Sequence, residues 1–367
     1  MVGLPRSADQ PARIARCASR LLYTSSACGA AGQTPYHVFD RQVKQRQRER
    51  AARRPNAHVY DYLRDDVAWT IADRLRDIKR HFPTMLDLGA GYGYTLRHLD
   101  ASITDHVIVT DTSPSQLARR PPKDGATALP PDDQLGFQVT RRVVDEEALP
   151  FAASSLDACI SSLALHWVND LPGTLAQIRH VLKPDAPLVA ALAGGDTLYQ
   201  LRTSLQLAET DRRGGFGPHV SPMASASDVG MLLQQAGFAL TTVDVDEVTI
   251  AYPSLFELLE DLRGMGESNA LFQRKGTLCR DVLIAADAIY REVYGNEDGS
   301  LPATFQFIHA IGWKPDPSQV KPKARGSATA SFKDLLSKQP QEIMEEAEKI
   351  RKELEEQVAN DKKSSKP

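Results

Sequence analysis

The sequence predicts an α/β fold: a mainly parallel seven-stranded sheet with helices on both faces and a helical cap. Three observations predict it. From residue 84 onward, short apolar segments alternate with stretches long enough to hold crossover helices. The first apolar segment runs into a glycine-rich turn, Gly89-Ala90-Gly91-Tyr92-Gly93. The following strand segments end in acids, Asp111 and then Asp145. Near-continuously apolar strands are what a parallel sheet covered on both faces requires.

Taken in order, the first 35 residues read as a mitochondrial transit peptide. They carry Arg6, Arg13, Arg16 and Arg20 against a single acid, Asp9, with small residues near Ser25. That Arg-rich, acid-poor composition is typical of an organelle presequence, and the segment has no long apolar run of a secretory signal. Residues 36–332 form the folded domain, with a cofactor core at about 80–195 and cap insertions at about 195–235 and 253–300. Residues 40–54 hold seven Lys/Arg and two acids and are expected to be a solvated basic helix, since apolar residues are too sparse to line a face. Val59, Leu63, Val67, Ile71, Leu75 and Ile78 recur at helical spacing. Strands are expected at 84–89, 106–111, 141–145, 156–162 and 187–193, with two more at 240–250 and 304–312. Residues 171–182 suit a crossover helix, and the Pro-rich stretch 121–136 an irregular loop. Residues 333–367 read as a charged flexible tail, with an amphipathic stretch at 341–358 too short for a stable coiled coil.

Composition narrows the function. A net charge of −3 argues against a general nucleic-acid binder. No run approaches the ~18 apolar residues of a membrane span, so any membrane contact would be peripheral. Cys17, Cys28, Cys159 and Cys279 make no CxxC pair, and neither a disulfide framework nor a metal site is expected.

The cofactor reading rests on the strand ends. Glycines let the backbone turn sharply and approach a ligand, and free amides after the turn favour an anion. A dinucleotide fingerprint is GxGxxG, whereas this chain has GxGxG with Tyr94 at the third glycine's place, which tilts the choice away from a nicotinamide cofactor. S-adenosyl-L-methionine fits: Asp87 for its amino group, Gly89, Ala90, Gly91 and Gly93 for its carboxylate end, Asp111 for the ribose hydroxyls, Asp145 for the adenine amino group. Glu146, Ser162 and Leu163 fall beside these on the same edge.

DLGAGYG, the acid of VIVTD, DEEALPF and LKPDA resemble the Rossmann-like class I methyltransferases, in particular the subgroup with a Type-11 methyltransferase domain. In that subgroup the first acid of the DEEALPF segment contacts adenine, which maps to Asp145. A closer resemblance runs from about residue 36 to 332. FDRQVKQRQRERAA, SSLALHWVNDLP, GGDTLYQLRTSLQLAETDRRGGFGPHVSP, DLRGMGESNA and YREVYGNEDGSLPATFQFIHAIGWKP are similar to the mitochondrial complex I assembly factor family of arginine hydroxylases. The resemblance implies hydroxylation of an arginine on an iron–sulfur subunit of the complex I peripheral arm, in the matrix at the inner membrane.

A guanidinium substrate calls for carboxylates. Asp196 and Glu267 are the first candidates, with Asp170 and Glu209 behind them, and His166 follows the fourth strand. No 2-His-1-carboxylate triad is legible. Two rival readings stand beside hydroxylation: a conventional methyltransferase acting on a protein or acyl-carrier substrate, and an assembly chaperone without turnover.

Overall fold

A computed structural model describes residues 37–119, 131–321 and 326. The expected leader, residues 120–130 of the Pro-rich stretch, and the charged tail with its 341–358 segment lie outside the described residues.

The described chain runs α1 (Arg41–Ala52), α2 (Tyr62–Asp77), β1 (Phe82–Leu88), β2 (Thr104–Asp111), α3 (Pro114–Leu117), β3 (Gln138–Val143), β4 (Ala158–Ser162), α4 (Leu171–Val181), β5 (Pro187–Ala193), α5 (Tyr199–Arg213), α6 (Ala226–Gln235), β6 (Ala239–Tyr252), α7 (Leu255–Met265), α8 (Arg280–Tyr294) and β7 (Leu301–Trp313). The strands form one sheet in the order β3-β2-β1-β4-β5-β7-β6. β1 to β5 pair in parallel, and β7 is antiparallel to both β5 and β6. This is the class I methyltransferase sheet, with the order reversing between β1 and β4, where such sheets open a ligand crevice.

Alternation along β1 sorts side chains between two cores. Met85 joins Val67, Ile71 and Leu75 of α2, Leu201 and Leu205 of α5, and Phe305 and Phe307 of β7. Leu86 and Leu88 face the other way, onto Leu175, Ile178 and Val181 of α4 and Val229 and Leu233 of α6. All seven residues of β5 are buried, as expected for a strand covered on both faces. β3 and β6 are the edges, largely exposed and carrying Arg141, Arg142, Asp244, Asp246 and Glu247, charges that discourage pairing with another chain. Among the described residues no helix is long and apolar enough to cross a membrane.

Two expectations need correction. The stretch between β1 and β2, expected to be long enough for a crossover helix, holds only a 3₁₀ segment, Tyr94–His98. Side-chain bonds from Thr95 to Asp87, and from Arg97 and His98 to Asp65, tie it down locally. The basic helix α1 is not solvated all round: Lys44, Arg48 and Ala51 are buried beneath it. Asp40 caps it by accepting the Val43 amide at 3.1 Å.

Candidate functional site

The carboxyl ends of β1 to β5 gather most of the residues named from the sequence. Gly89, Gly91 and Gly93 all adopt positive φ, so the turn after β1 closes within five residues. Asp111, at the end of β2, accepts the Gly91 amide at 3.0 Å and the Ser113 amide at 2.6 Å. Asp87 is completely buried, and Thr95 donates to its Oδ2. Its Oδ1 has no hydrogen-bond partner among the described residues, and burial pushes its carboxyl up to about 7. Asp145 and Glu146 follow β3, the first half-exposed and the second buried. Ser162 ends β4 and Leu163, buried at φ +52°, begins the next turn.

Helix α1 lies across this edge, bringing a line of cations to the acids. Arg41 reaches Asp145 at 2.8 Å, Glu147 at 3.1 Å and also Glu146. Arg48 Nη1 stands 3.5 Å from both Asp111 and Glu146. Burial raises the Glu146 carboxyl, while Arg48 and Arg41 oppose that. Gln45 donates to the Thr112 carbonyl at 2.7 Å, and Gln116 to the Arg48 carbonyl at 3.2 Å, so α1 is also stitched to backbone.

Lys44, on the same stripe, belongs to a second cluster around Glu267. Its ammonium donates to the Gly266 and Ser268 carbonyls at 3.0 and 3.1 Å and lies 3.4 Å from Glu267. It also sits 3.2 Å above the Trp167 ring, a cation–π contact. Burial pulls the Lys44 ammonium down to about 7, against the attraction of Glu267. Glu267 further accepts the Trp167 indole N–H at 2.7 Å and a bond from Arg64 of α2. Burial would raise its carboxyl, but Lys44 and Arg64 hold it well below the usual range. His166 completes the group, its Nε2 3.9 Å from Glu267 and its Nδ1 accepting the Ala193 amide at 3.4 Å.

Beside this cluster opens a cavity of about 800 Å³. Its floor is apolar (Leu163, Leu198, Leu201, Leu205, Phe305 and Phe307 among others) and Glu267 is the one carboxylate lining it among the described residues. The other candidate acids stand elsewhere. Asp170 is exposed and caps α4 through the Gly173 amide at 2.9 Å. Asp196 is exposed and accepts from Gln306 at 3.2 Å, outside the cavity lining. The expected pairing of Asp196 with Glu267 around one substrate group is therefore corrected: the turn after β5 points Asp196 toward β6 and β7.

Glu209 lies just behind the wall, buried on α5 and bonded to Lys275 at 2.9 Å, His219 at 3.0 Å and the Gly217 amide at 2.6 Å. Burial works to raise its carboxyl, but these partners outweigh it and bring it down to about 2. A folded-state value below the unfolded one means stability that is present above about pH 4.5 and lost as pH falls toward 2. Melting temperatures across that window should fall more steeply for the wild type than for Glu209→Gln. Parallel curves would show that the Glu209 contacts contribute nothing.

The cations Arg41, Lys44, Arg48 and Arg64 escaped the sequence reading, which looked for apolar stripes on the basic helix. The usable signal was the i, i+3, i+7 spacing of Arg41, Lys44 and Arg48, a cationic stripe on one helix face.

Comparison with known proteins agrees with this architecture. Residues 86–190 match the methyltransferase domain family. The arginine-hydroxylase NDUFAF5, mitochondrial, of Mus musculus is 50% identical over 307 residues, which is 84% of this chain and 86% of that protein. Its Homo sapiens counterpart is 48% identical over the same shares. This chain belongs to the mitochondrial NDUFAF5 arginine-hydroxylase family. A more distant relative, a malonyl-[acyl-carrier protein] O-methyltransferase of Gallionella capsiferriformans, is 32% identical over 76% of this chain and 93% of its own length. The NDUFAF5 likeness spans far more than the 86–190 segment, so it takes in structure on both sides of that segment.

Proposed function

We propose that this protein binds S-adenosyl-L-methionine at the carboxyl edge of its sheet and hydroxylates an arginine of a protein partner during assembly of respiratory complex I. The partner in this reading is an iron–sulfur subunit of the peripheral arm, met in the mitochondrial matrix at the inner-membrane surface. The observation that carries it is the 50% identity to an arginine hydroxylase across 84% of the chain. Incubating the purified protein with cofactor, the candidate subunit, oxygen and a two-electron reductant such as ascorbate, which takes the second oxygen atom to water, then weighing the target peptide, tests it. Gain of one oxygen supports hydroxylation, and an unmodified peptide overturns it. Gain of a methyl group would favour conventional methyl transfer, a second reading kept because the Gallionella relative is named as a methyltransferase.

The residues fit the cofactor. The unpartnered Oδ1 of buried Asp87 suits a cationic amino group, which would relieve a carboxyl that burial has raised. Gly89, Ala90, Gly91 and Gly93 supply the close-approach turn, Asp111 the acceptor for a ribose diol, Asp145 and Glu146 the adenine end, with Ser162 and Leu163 beside them. The ribose and Arg48 draw on the same Asp111 carboxylate. Asp111→Ala is expected to weaken cofactor binding by about 1.5–3 kcal/mol, the range for hydrogen bonds to a charged group. Unchanged affinity by titration calorimetry would remove Asp111 from the site. For the substrate guanidinium, Glu267 is the carboxylate carried forward, with His166 beside it; Asp170 and Asp196 are not.

A further inference from the structure

Helix α1 has two working faces. Arg41, Lys44 and Arg48 point under it to the acids of the sheet edge and to Glu267, while Val43, Arg46, Gln47 and Arg50 line the cavity. The spacing i, i+3, i+4, i+7 makes the second set one stripe. Arg46 and Arg50 are exposed, and among the described residues neither guanidinium meets a carboxylate. Other cations of the lining are already matched: Arg54 and Arg263 with Glu260, Arg274 with Asp40, Lys275 with Glu209. Glu267, the one lining acid among the described residues, is itself neutralised by Lys44 and Arg64.

The cavity that would receive a cationic substrate side chain is therefore walled by positive charge. An arginine approaching it alone is repelled; the same arginine carried on an acidic segment is attracted. We propose that Arg46 and Arg50 form the docking site for an acidic segment flanking the target arginine. Four residues of helix separate their Cα atoms by about 6 Å. That matches the roughly 6.6 Å between alternate residues of an extended chain, which put successive side chains on one side. The segment so read is extended and carries carboxylates two residues apart. This inference rests on the arginine-substrate reading and adds what surrounds that arginine.

The test uses the full-length protein with S-adenosyl-L-methionine and labelled dodecapeptides bearing one central arginine, read by fluorescence anisotropy. One peptide has glutamates at alternate flanking positions, a second glutamines, a third lysines. The acidic peptide should bind about tenfold tighter than the glutamine peptide, as two partly screened guanidinium–carboxylate pairs would give, and the gap should shrink with salt. In the R46E/R50E variant that preference should vanish and the lysine peptide should bind best, with cofactor affinity unchanged as the check on folding. Arg46→Gln with Arg50→Gln should remove the preference without reversing it. Equal binding of acidic and glutamine peptides to the wild type overturns the proposal, as does a preference that survives in R46E/R50E. So does displacement of the acidic peptide by phosphatidylglycerol vesicles that bind through Arg46 and Arg50, which would assign the stripe to a lipid surface. Replacing the central arginine by citrulline separates the two layers. If charge preference persists while citrulline binds equally well, the arginine reading fails and the docking site stands.

Discussion

Glu267→Gln should destabilise the fold by about 3 kcal/mol, because breaking a buried ion pair from one side leaves the partner charge unmatched. The reason is the company Glu267 keeps. Its two oxygens hold Arg64 of α2, the Lys44 ammonium of α1 and the Trp167 indole after β4. Lys44 and Arg64 are buried, and their remaining partners there are backbone carbonyls and the Trp167 and Tyr94 rings. Glutamine preserves shape but supplies a neutral acceptor and an amide donor that faces donors. The loss should appear in urea denaturation as a lower midpoint at unchanged slope. Lys44→Met in the Glu267→Gln background should recover part of it, since one stranded cation is gone. A wild-type midpoint for Glu267→Gln would show that these ion pairs contribute nothing to stability. The expectation from residue type, a charge available for a substrate guanidinium, thus becomes a charge that also locks α1, α2 and the loop after α7 together.

Gly89→Ala is expected to cost about 2–4 kcal/mol, combining strain at positive φ with overpacking. A Cβ at Gly89 would stand 2.2 Å from the Ala164 Cβ and 3.2 Å from Glu146 Oε1, at a backbone φ of +69°. Neither neighbour is the end of a flexible chain: Ala164 moves only with its backbone, and Glu146 is buried between Arg41 and Arg48. The turn must therefore shift, carrying the Gly91 amide away from Asp111. Gly91→Ala meets contacts of 3.4 Å or more and bears chiefly the backbone strain, so it should lose less stability. Thermal melts of the two variants decide the ranking. Equal and small losses would show that the turn relaxes freely.

The sheet was legible because parallel strands buried on both faces must be apolar throughout, and because an acid at a strand end interrupts that run visibly. Strands β1, β2, β4 and β5, a glycine turn and the acids Asp111 and Asp145 came from such one-dimensional signals, whereas the exposed edges β3 and β6 carry charges and do not follow that rule. Residues 195–235 and 253–300 were legible only as interruptions of the alternation. The basic helix was misjudged because solvation was inferred from the lack of apolar residues, while its burial is electrostatic: a cationic stripe laid on carboxylates.

What the sequence determined by itself is the order of strands and helices and the chemistry available at the strand ends, since both depend on local periodicity and on residue type. Tertiary structure alone decided which charges meet. Lys44 and Glu267 are 223 residues apart and Arg48 and Glu146 98 apart, yet each pair shares one small volume. Coulomb attraction depends on distance and burial in the fold, and neither can be read along the chain. That is why Asp196, Asp170 and Glu267 looked alike in sequence and differ so much in place: two at the exposed ends of elements, one at the junction of two buried cations and a cavity.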